Sequence, residues 1–471
     1  MKKTKIICSI GPASNQYETF KKMVLHGMNV ARINFSHATI EEREIVVSLV
    51  KKANEELGTH VAILYDTKGP DFRTGKAQEG GIVLEEGKTI RIVKEDIIGT
   101  EEAFTVNYKD ALDDIHEGAH ILLEDGLMEL EVISREKDGI TCMIVSGGTL
   151  LDRKGVNVPG VTLNVPFISE QDREDIIYAC NHDGDYLALS FVDEKEDVLQ
   201  VREILKEQNR EDMLIISKIE SETAIDHIDD IIEVSDGIMV ARGDLGVEVP
   251  VVNLPIYQKT IVEKCRAQGK FCIVATEMLS SMQKNARPTR AEVSDIANAV
   301  IDGTDAVMLS GETTTGKHPL EAVTYMANVC ENTEKYLPYQ ERVRTSFSLD
   351  VSATIAKGVV EITNDIDIEA IITETMTGYT ARNISNLRPN TVIIAACPNE
   401  DVAHKLALNF GVYPMIVDLS GSTDEIIKKC LEQTKKQFSL KEQSYVVVTG
   451  GFPNDTENHH TNYLKIEMIC D

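Results

Sequence analysis

Met213–Glu220 reads MLIISKIE. Four apolar residues, Met213 to Ile216, have the composition of a buried strand; Lys218 and Glu220 then follow two positions apart. Alternate residues of a strand share a face, so a cation and a carboxylate leave this strand together at its C-terminal end. A second apolar run, in Gly237–Gly246 (GIMVARGDLG), leads to another acid, Asp244. Two carboxylates able to hold a hard cation, with a lysine beside them, point to an electrophilic site for an anionic substrate.

Working outward, similar runs recur with helical stretches between them. Strands are expected at Lys5–Ile10, Val30–Phe35 and Val61–Asp66, with helices over Tyr17–His26 and Ile40–Leu57. Five more strands are expected at Tyr186–Ser190, Met213–Lys218, Gly237–Ala241, Phe271–Ala275 and Ala306–Leu309. Helices at Asp172–His182, opened by a Ser169–Asp172 capping box, at Leu254–Gln268 and at Arg290–Asp302 keep the alternation. Such alternation argues for a parallel sheet with helical crossovers. Segments 1–69 and 167–340 carry eight strands in 243 residues, close to the roughly 250 of a (β/α)8 barrel.

The rhythm breaks between Asp66–Gly75 (DTKGPDFRTG) and Lys154–Gly160 (KGVNVPG). Residues 70–166 offer short strand-like runs, such as Thr89–Val93, His120–Glu124 and Gly139–Val145, with glycine turns. A small all-β domain inserted into the barrel is expected, its Gly- and Pro-containing crossings suited to a hinge. After Thr333 a polar linker, Glu334–Ser346, leads to a second αβ series in 341–471. Its strands are expected at Ala370–Thr373, Val392–Ala396, Val412–Val417 and Tyr445–Thr449, with Tyr463–Ile469 as an edge strand. Its helices are expected at Ser352–Thr363, Ala381–Leu387, Val402–Asn409 and Asp424–Gln437.

Composition narrows the function. A net charge of −29 disfavours nucleic acid, and anionic substrates require cations concentrated locally. The nine cysteines contain no C-x-x-C pair, the pattern of reduced thiols in a cytoplasmic protein. The opening apolar run, Ile6–Cys8, is too short for a secretory signal. No run approaches the ~20 residues of a membrane span.

The informative pattern is positional. Nearly every expected barrel strand ends in polar residues: Arg32, Asn34, Ser36 and His37; Asp66 and Thr67, with Lys68 and Arg73 behind; Ser190; Lys218 and Glu220; Arg242 and Asp244; Thr276 and Glu277; Ser310 and Glu312. Barrel active sites lie at this rim. Singly, each residue reads as a solvated loop side chain. Arg242-Gly243-Asp244 spells an adhesion tripeptide, but one that follows a buried strand makes a poor exposed loop. His459 and His460 read as a polar-loop pair rather than as metal ligands. The glycine-rich pieces lack Rossmann and P-loop spacing. Jointly, Arg32, Lys218, Glu220, Asp244 and Thr276 converge only in a closed barrel, and their types fit phosphoryl transfer.

Seven stretches, in order, carry a resemblance: Ala31–His37 (ARINFSH), Asp66–Gly75, Lys154–Gly160, Ser217–Glu220 (SKIE), Asp236–Gly246 (DGIMVARGDLG), Arg287–Glu292 (RPTRAE) and Asp302–Glu312 (DGTDAVMLSGE). The chain resembles the pyruvate kinase family. The resemblance implies an α/β protein: a (β/α)8 TIM barrel with an inserted small β-barrel lid and a C-terminal αβ regulatory domain. It implies phosphoryl transfer from phosphoenolpyruvate to ADP, giving pyruvate and ATP. By resemblance, Glu220 and Asp244 would hold Mg2+ (or Mn2+), and Lys218 would meet the transferring phosphoryl group and the enolate. Gly243, Asp244, Thr276, Ser190, Phe191 and Arg32 would bind substrate, with Lys218, Thr276 and Arg32 catalytic. Asn34, Ser36, Asp66 and Thr67 match a K+ site. Asn34, Phe35, Ser36, His37, Arg73 and Lys154 match nucleotide contacts. A homotetramer is implied as well.

The chain also departs from the family. Asp71 and Phe72 stand where glutamate and isoleucine are frequent, and Glu277 where glutamine is usual. The acid at 71 resembles K+-dependent members. Thr375–Thr380 (TMTGYT) precedes a helix, where Thr375, Thr377, Gly378 and Thr380 would cradle a phosphorylated effector; the alternative is a plain helix cap. Met376 occupies a position where sugar-bisphosphate-sensitive relatives often carry lysine. Two other functions fit parts of the pattern. A Mg-dependent barrel lyase or aldolase acting on pyruvate or phosphoenolpyruvate would leave Arg73 and Lys154 surplus. A non-catalytic metabolite-sensing paralogue would not need Lys218, Glu220 and Asp244.

Overall fold

The computed structural model describes residues 1–124, 126–337, 351–438, 440–451 and 461–469. The linker beyond Leu337 and the His459/His460 pair lie outside the described residues.

Eight parallel strands close into a barrel: β1 (Lys5–Ser9), β2 (Val30–Asn34), β3 (Ala62–Asp66), β4 (Tyr186–Leu189), β5 (Leu214–Ile219), β6 (Gly237–Ala241), β7 (Phe271–Ala275) and β8 (Ala306–Leu309). Each strand pairs with its neighbours in chain order, and β8 returns to β1. Alternation sorts the side chains. Ile7, Val30, Leu64, Ala188, Ile216 and Met239 fill the interior, while Ala31, Ile33, Ile215 and Ile219 pack outward against the helices. Two residues above the interior layer, the same face carries Ser9, Arg32, Asp66, Ser190 and Lys218. The polar rim is therefore the top course of the barrel core.

Local signals set the helix starts. Thr39 with Glu42, Ser169 with Asp172 and Thr289 with Glu292 form reciprocal capping boxes, each satisfying two backbone donors. Gly58, at φ 64°, closes helix Ile40–Leu57 in the left-handed conformation that glycine adopts without a steric cost.

The insertion leaves the barrel after β3 and returns before helix Glu170–Asn181. Its strands form a six-stranded sheet, running from Val156–Asn157 at one edge to Ala103–Thr105 at the other, plus a two-stranded ladder of Ile82–Leu84 with Gly148–Leu150. All enclose one apolar core that includes Phe104, Ile121, Leu130 and Ile140. Among the described residues no single continuous ladder closes this insert into a barrel.

The C-terminal sheet runs Val412–Ile416, Val392–Cys397, Ile368–Glu374, Tyr445–Gly450, Tyr463–Met468. Only the last strand is antiparallel, and it lies at the edge. The helix expected over Val402–Asn409 is instead Glu400–His404, because Asn399 Oδ1 accepts the Val402 N–H and starts the turn earlier. This domain docks on the barrel's N-terminal face. Arg388 Nη2 donates to Asp305 Oδ2 and Gly303 O, both at 2.8 Å, and Tyr186 Oη donates to His404 O at 2.9 Å.

Candidate active site

Lys218 projects from β5 into a ring of partners. Its Nζ lies 2.8 Å from Glu220 Oε1, 2.7 Å from Ser190 Oγ and 3.2 Å from Asp66 Oδ1. Burial alone would push the ammonium down, but the carboxylates of Asp66, Glu220 and Asp244 outweigh it, and the net shift is upward. Lys218 is therefore a fixed positive charge. Glu220 is 1% exposed. Its Oε2 accepts the Phe191 N–H at 2.7 Å, and burial lifts its carboxyl to about 7 even against the lowering pull of Lys218.

Asp66 ends β3. Burial works against its charge, but Arg32 and Lys218 hold it below the ordinary carboxylate range. Arg32 also donates from Nη1 to Ser9 Oγ at 2.7 Å. Ser9 was not expected at the site. Its place on the interior face of β1, two residues after Ile7, was the available signal.

Arg242 is buried and tethered, with Nη1 2.7 Å from Asp295 Oδ1 and Nη2 donating to Thr276 O at 2.8 Å. The Arg-Gly-Asp tripeptide thus opens a short helix, Arg242–Glu248, rather than an exposed loop. The Gly243 N–H donates to Thr276 Oγ1 at 2.7 Å, joining the ends of β6 and β7. Thr276 and Glu277 both adopt positive φ, 66° and 56°, rare for residues with a side chain. Glu277 is exposed, and nothing in the structure explains the acid there.

A cleft of about 330 Å³ opens between the rim and the insertion. Arg32, Lys218, Glu220, Asp244, Ser190 and Phe191 line its barrel side. Asn34, Ser36, His37 and Arg73 line it toward the insertion. Asp66 and Thr67 are buried behind this wall, and the Thr67 carbonyl accepts from Ser190 Oγ at 2.7 Å. Lys154 lies on the insertion, paired with Glu124, and Arg73 is paired with Asp71. Phe35 does not reach the cleft. Its ring is buried and stacks on Tyr65, centroids 5.0 Å apart, with the Arg43 guanidinium 4.3 Å over it. Two further residues join the insertion to the barrel: Asn157 Nδ2 donates to Glu248 Oε1 at 2.7 Å. Both line the cleft, and burial pushes Glu248 up to about 7.

The donor sets fit the implied ions. Glu220 and Asp244 supply carboxylate oxygens at one wall of the cleft, the ligand type a hard divalent ion takes. Asn34 Oδ1, which accepts the Ser36 N–H at 2.9 Å, presents a neutral oxygen on the residue paired in register with Asp66, an all-oxygen set suited to a hard monovalent ion.

The C-terminal loop is more closed than expected. Thr375 and Thr380 are buried, and the Thr380 hydroxyl shares a hydrogen bond with Thr461 Oγ1 at 2.9 Å. Gly378 sits at φ 84°, where a Cβ would lie 2.7 Å from Arg382 Nη1. Arg382 donates to the Thr377 carbonyl at 3.1 Å; it is a cation at this loop that the TMTGYT reading did not include.

Fold and rim together define a (β/α)8 barrel whose C-terminal rim gathers cations and carboxylates in one cleft, the arrangement of a barrel enzyme. The comparisons narrow this further. The family described as "Pyruvate kinase, barrel domain" matches residues 1–323, and "Pyruvate kinase, alpha/beta domain" matches 353–467. A pyruvate kinase of Clostridium acetobutylicum is 43% identical, covering 100% of both chains. One from Bacillus licheniformis is 42% identical, covering 100% of this chain and 81% of the relative. A crystal structure of a pyruvate kinase from Cryptosporidium parvum superposes with a TM-score of 0.95 at 35% identity, covering 99% of this chain and 96% of that one. The chain belongs to the pyruvate kinase family. It is accordingly a phosphate-transferring enzyme, and neither the lyase nor the sensing-paralogue reading is favoured.

Proposed function

We propose that this chain transfers the phosphoryl group of phosphoenolpyruvate to ADP, giving pyruvate and ATP. The observation that carries the reading is the Lys218 ammonium, fixed among Ser190, Asp66 and Glu220 at the mouth of the cleft. Charge on a transferring phosphoryl group spreads over its oxygens, so catalysis is chiefly positioning and electrostatic stabilisation. Lys218 and Arg32 face those oxygens. As the bond from phosphorus to the enol oxygen breaks and one to the ADP β-phosphate forms, Lys218 donates to the enolate. Thr276 and the Gly243 backbone hold the substrate carboxylate, and Thr276 lies near the path by which C3 of the enolate takes its proton. Ser190 and Phe191 complete the substrate wall.

Glu220 and Asp244 hold Mg2+ or Mn2+, which supplies positive charge to the phosphate and enolate oxygens when bound. Asn34, Ser36, Asp66 and Thr67 hold K+. His37, Arg73 and Lys154 receive the nucleotide phosphates, with Asn34 and Ser36 at the same wall. Residues 70–166 act as a lid over the barrel formed by 1–69 and 167–340, excluding water. Residues 341–471 form a regulatory domain, with Thr375–Thr380 and Arg382 receiving a phosphorylated effector. The enzyme works in the cytoplasm as a homotetramer. Among the described residues no helix is long and apolar enough to cross a membrane.

The deciding experiment is ATP formation from phosphoenolpyruvate and ADP by the purified chain with Mg2+ and K+. Turnover is expected, and its absence rejects the reading. Light scattering tests the tetramer.

A further inference from the structure

Far from the cleft, the barrel and the C-terminal domain meet at three metal-capable side chains. His60 lies in the turn before β3; Glu400 and His404 stand at the two ends of the one-turn helix Glu400–His404. Residues four apart on a helix share a face, so Glu400 and His404 both point at His60. Their donor atoms lie within 4.8 Å of one another. His60 Nδ1 is 2.6 Å from Glu400 Oε2, and His404 Nε2 is 3.8 Å from the same oxygen. Ligands about 2.0–2.1 Å from a tetrahedral zinc ion sit roughly 3.3 Å apart, so small side-chain rotations bring this set to ligation.

A second observation orients the set. His404 Nδ1 lies 3.3 Å from Asp185 Oδ1, the residue before β4. A carboxylate on one ring nitrogen fixes the imidazole tautomer and aims the other nitrogen's lone pair, the usual support of a metal-bound histidine. Here it leaves Nε2 facing Glu400 Oε2 at 3.8 Å, with the Asn54 amide nitrogen 3.5 Å away as the weak contact that an ion would displace. Asp185 is itself held, its Oδ2 accepting the Ile63 N–H at 2.8 Å.

We propose that His60, Glu400 and His404 bind one divalent transition ion of the zinc type, clasping the C-terminal domain to the base of the barrel. Two imidazoles and one carboxylate select such an ion over Mg2+, which prefers all-oxygen sites. The clasp is chemically distinct from the Glu220/Asp244 pair. It grips the feet of β3 and β4, whose opposite ends carry Asp66 and precede Ser190.

The test uses the full chain, stripped of metal by a chelator, in excess Mg2+ so that oxygen-only sites are filled. Co2+ is titrated as a spectroscopic probe and Zn2+ in parallel. The wild type is expected to take up one Co2+ per chain with the strong visible bands of a four-coordinate site. Zn2+ is expected to raise its Tm. Glu400 is 58% exposed at its side chain, so Glu400→Ala keeps the fold; it should weaken Co2+ binding at least tenfold and abolish the Zn2+ shift in Tm. His60→Asn should do the same. Asp185→Asn should weaken binding by about 10–100-fold, since it removes only the support. Bands and Tm shift that persist in both ligand variants, or a wild type with neither, would overturn the proposal.

Discussion

Asp66 divides its carboxylate between two cations: Oδ2 accepts from Arg32 Nε at 2.7 Å, and Oδ1 lies 3.2 Å from Lys218 Nζ. The acid is 1% exposed, so neither contact is screened by solvent. One buried anion thereby holds two positive charges side by side at the rim, where their mutual repulsion would otherwise separate them. The cost of gathering cations is met inside the fold, before any substrate arrives.

Lys218→Met should lower kcat by at least about 10²–10³, the effect of losing one donor aimed at developing negative charge, with a far smaller change in substrate KM. It should also lower stability, because Asp66 and Glu220 stay buried with less compensation. Breaking a buried pair costs about 3–5 kcal/mol, and Arg32, which still pairs with Asp66, should keep the loss at the lower end. Steady-state kinetics and denaturant unfolding read the two effects separately. A variant with near-normal turnover would contradict the role assigned to Lys218.

Replacing K+ by a large organic cation at constant ionic strength should lower the rate of ATP formation. Asn34→Ala should lower it further at low K+ than at high K+. Equal rates with and without K+ would remove the monovalent site from the mechanism.

Arg388 and Asp305 are both essentially unexposed, and Asp305 Oδ1 and Oδ2 also accept the N–H groups of Phe410 and Cys272. Arg388→Met strands that carboxylate at the junction of the two domains. A destabilisation of about 3–5 kcal/mol is expected. Calorimetry should show the C-terminal domain melting ahead of the barrel instead of with it.

Glu374, 2% exposed at the end of its strand, is pushed up to about 7 by burial, partly offset by the neighbouring Tyr463. Its folded value lies above the unfolded value of about 4.3. The contribution is therefore fully present below pH ~4 and is lost as pH rises through about 7. Stability should fall between pH 5 and pH 8 by about 1–3 kcal/mol from this residue. Glu374→Gln should flatten that slope and raise Tm at pH 8. A variant with an unchanged Tm-versus-pH curve would show that Glu374 is not its source.

The barrel was legible because each strand carries two signals at once: period-two burial along its length and a polar residue where it ends. All eight expected strands match observed ones within one residue at either end. Ile82–Leu84, Ala103–Thr105 and Gly148–Leu150 are three residues each, too short to show any period, and were not found. Helix Arg242–Glu248 contains two glycines, which weaken any helical signal in the sequence; tertiary bonds from Arg242 to Asp295 and Thr276 hold it. At the site, residue type and rim position found the charged groups. They missed Ser9, Asn157 and Glu248, whose partners lie far along the chain and become visible only in three dimensions; the ring of Phe35, a residue included by resemblance, serves the core.

The neck of the insertion has a consequence for binding. Thr74 and Lys154 exchange hydrogen bonds at 2.9 Å, and Arg73 bridges to Gly155 across the same pair of strands. Arg73 and Lys154 are therefore yoked, and any swing of the insertion moves both cations in unison. Each is docked on a carboxylate of the insertion itself, Asp71 or Glu124. A polyphosphate that engaged both cations, as proposed, would compete with two internal anions at one stroke. If Arg73 and Lys154 receive the nucleotide as proposed, its capture and rotation of the neck would be a single ion-exchange equilibrium, one that dissolved salt can tune.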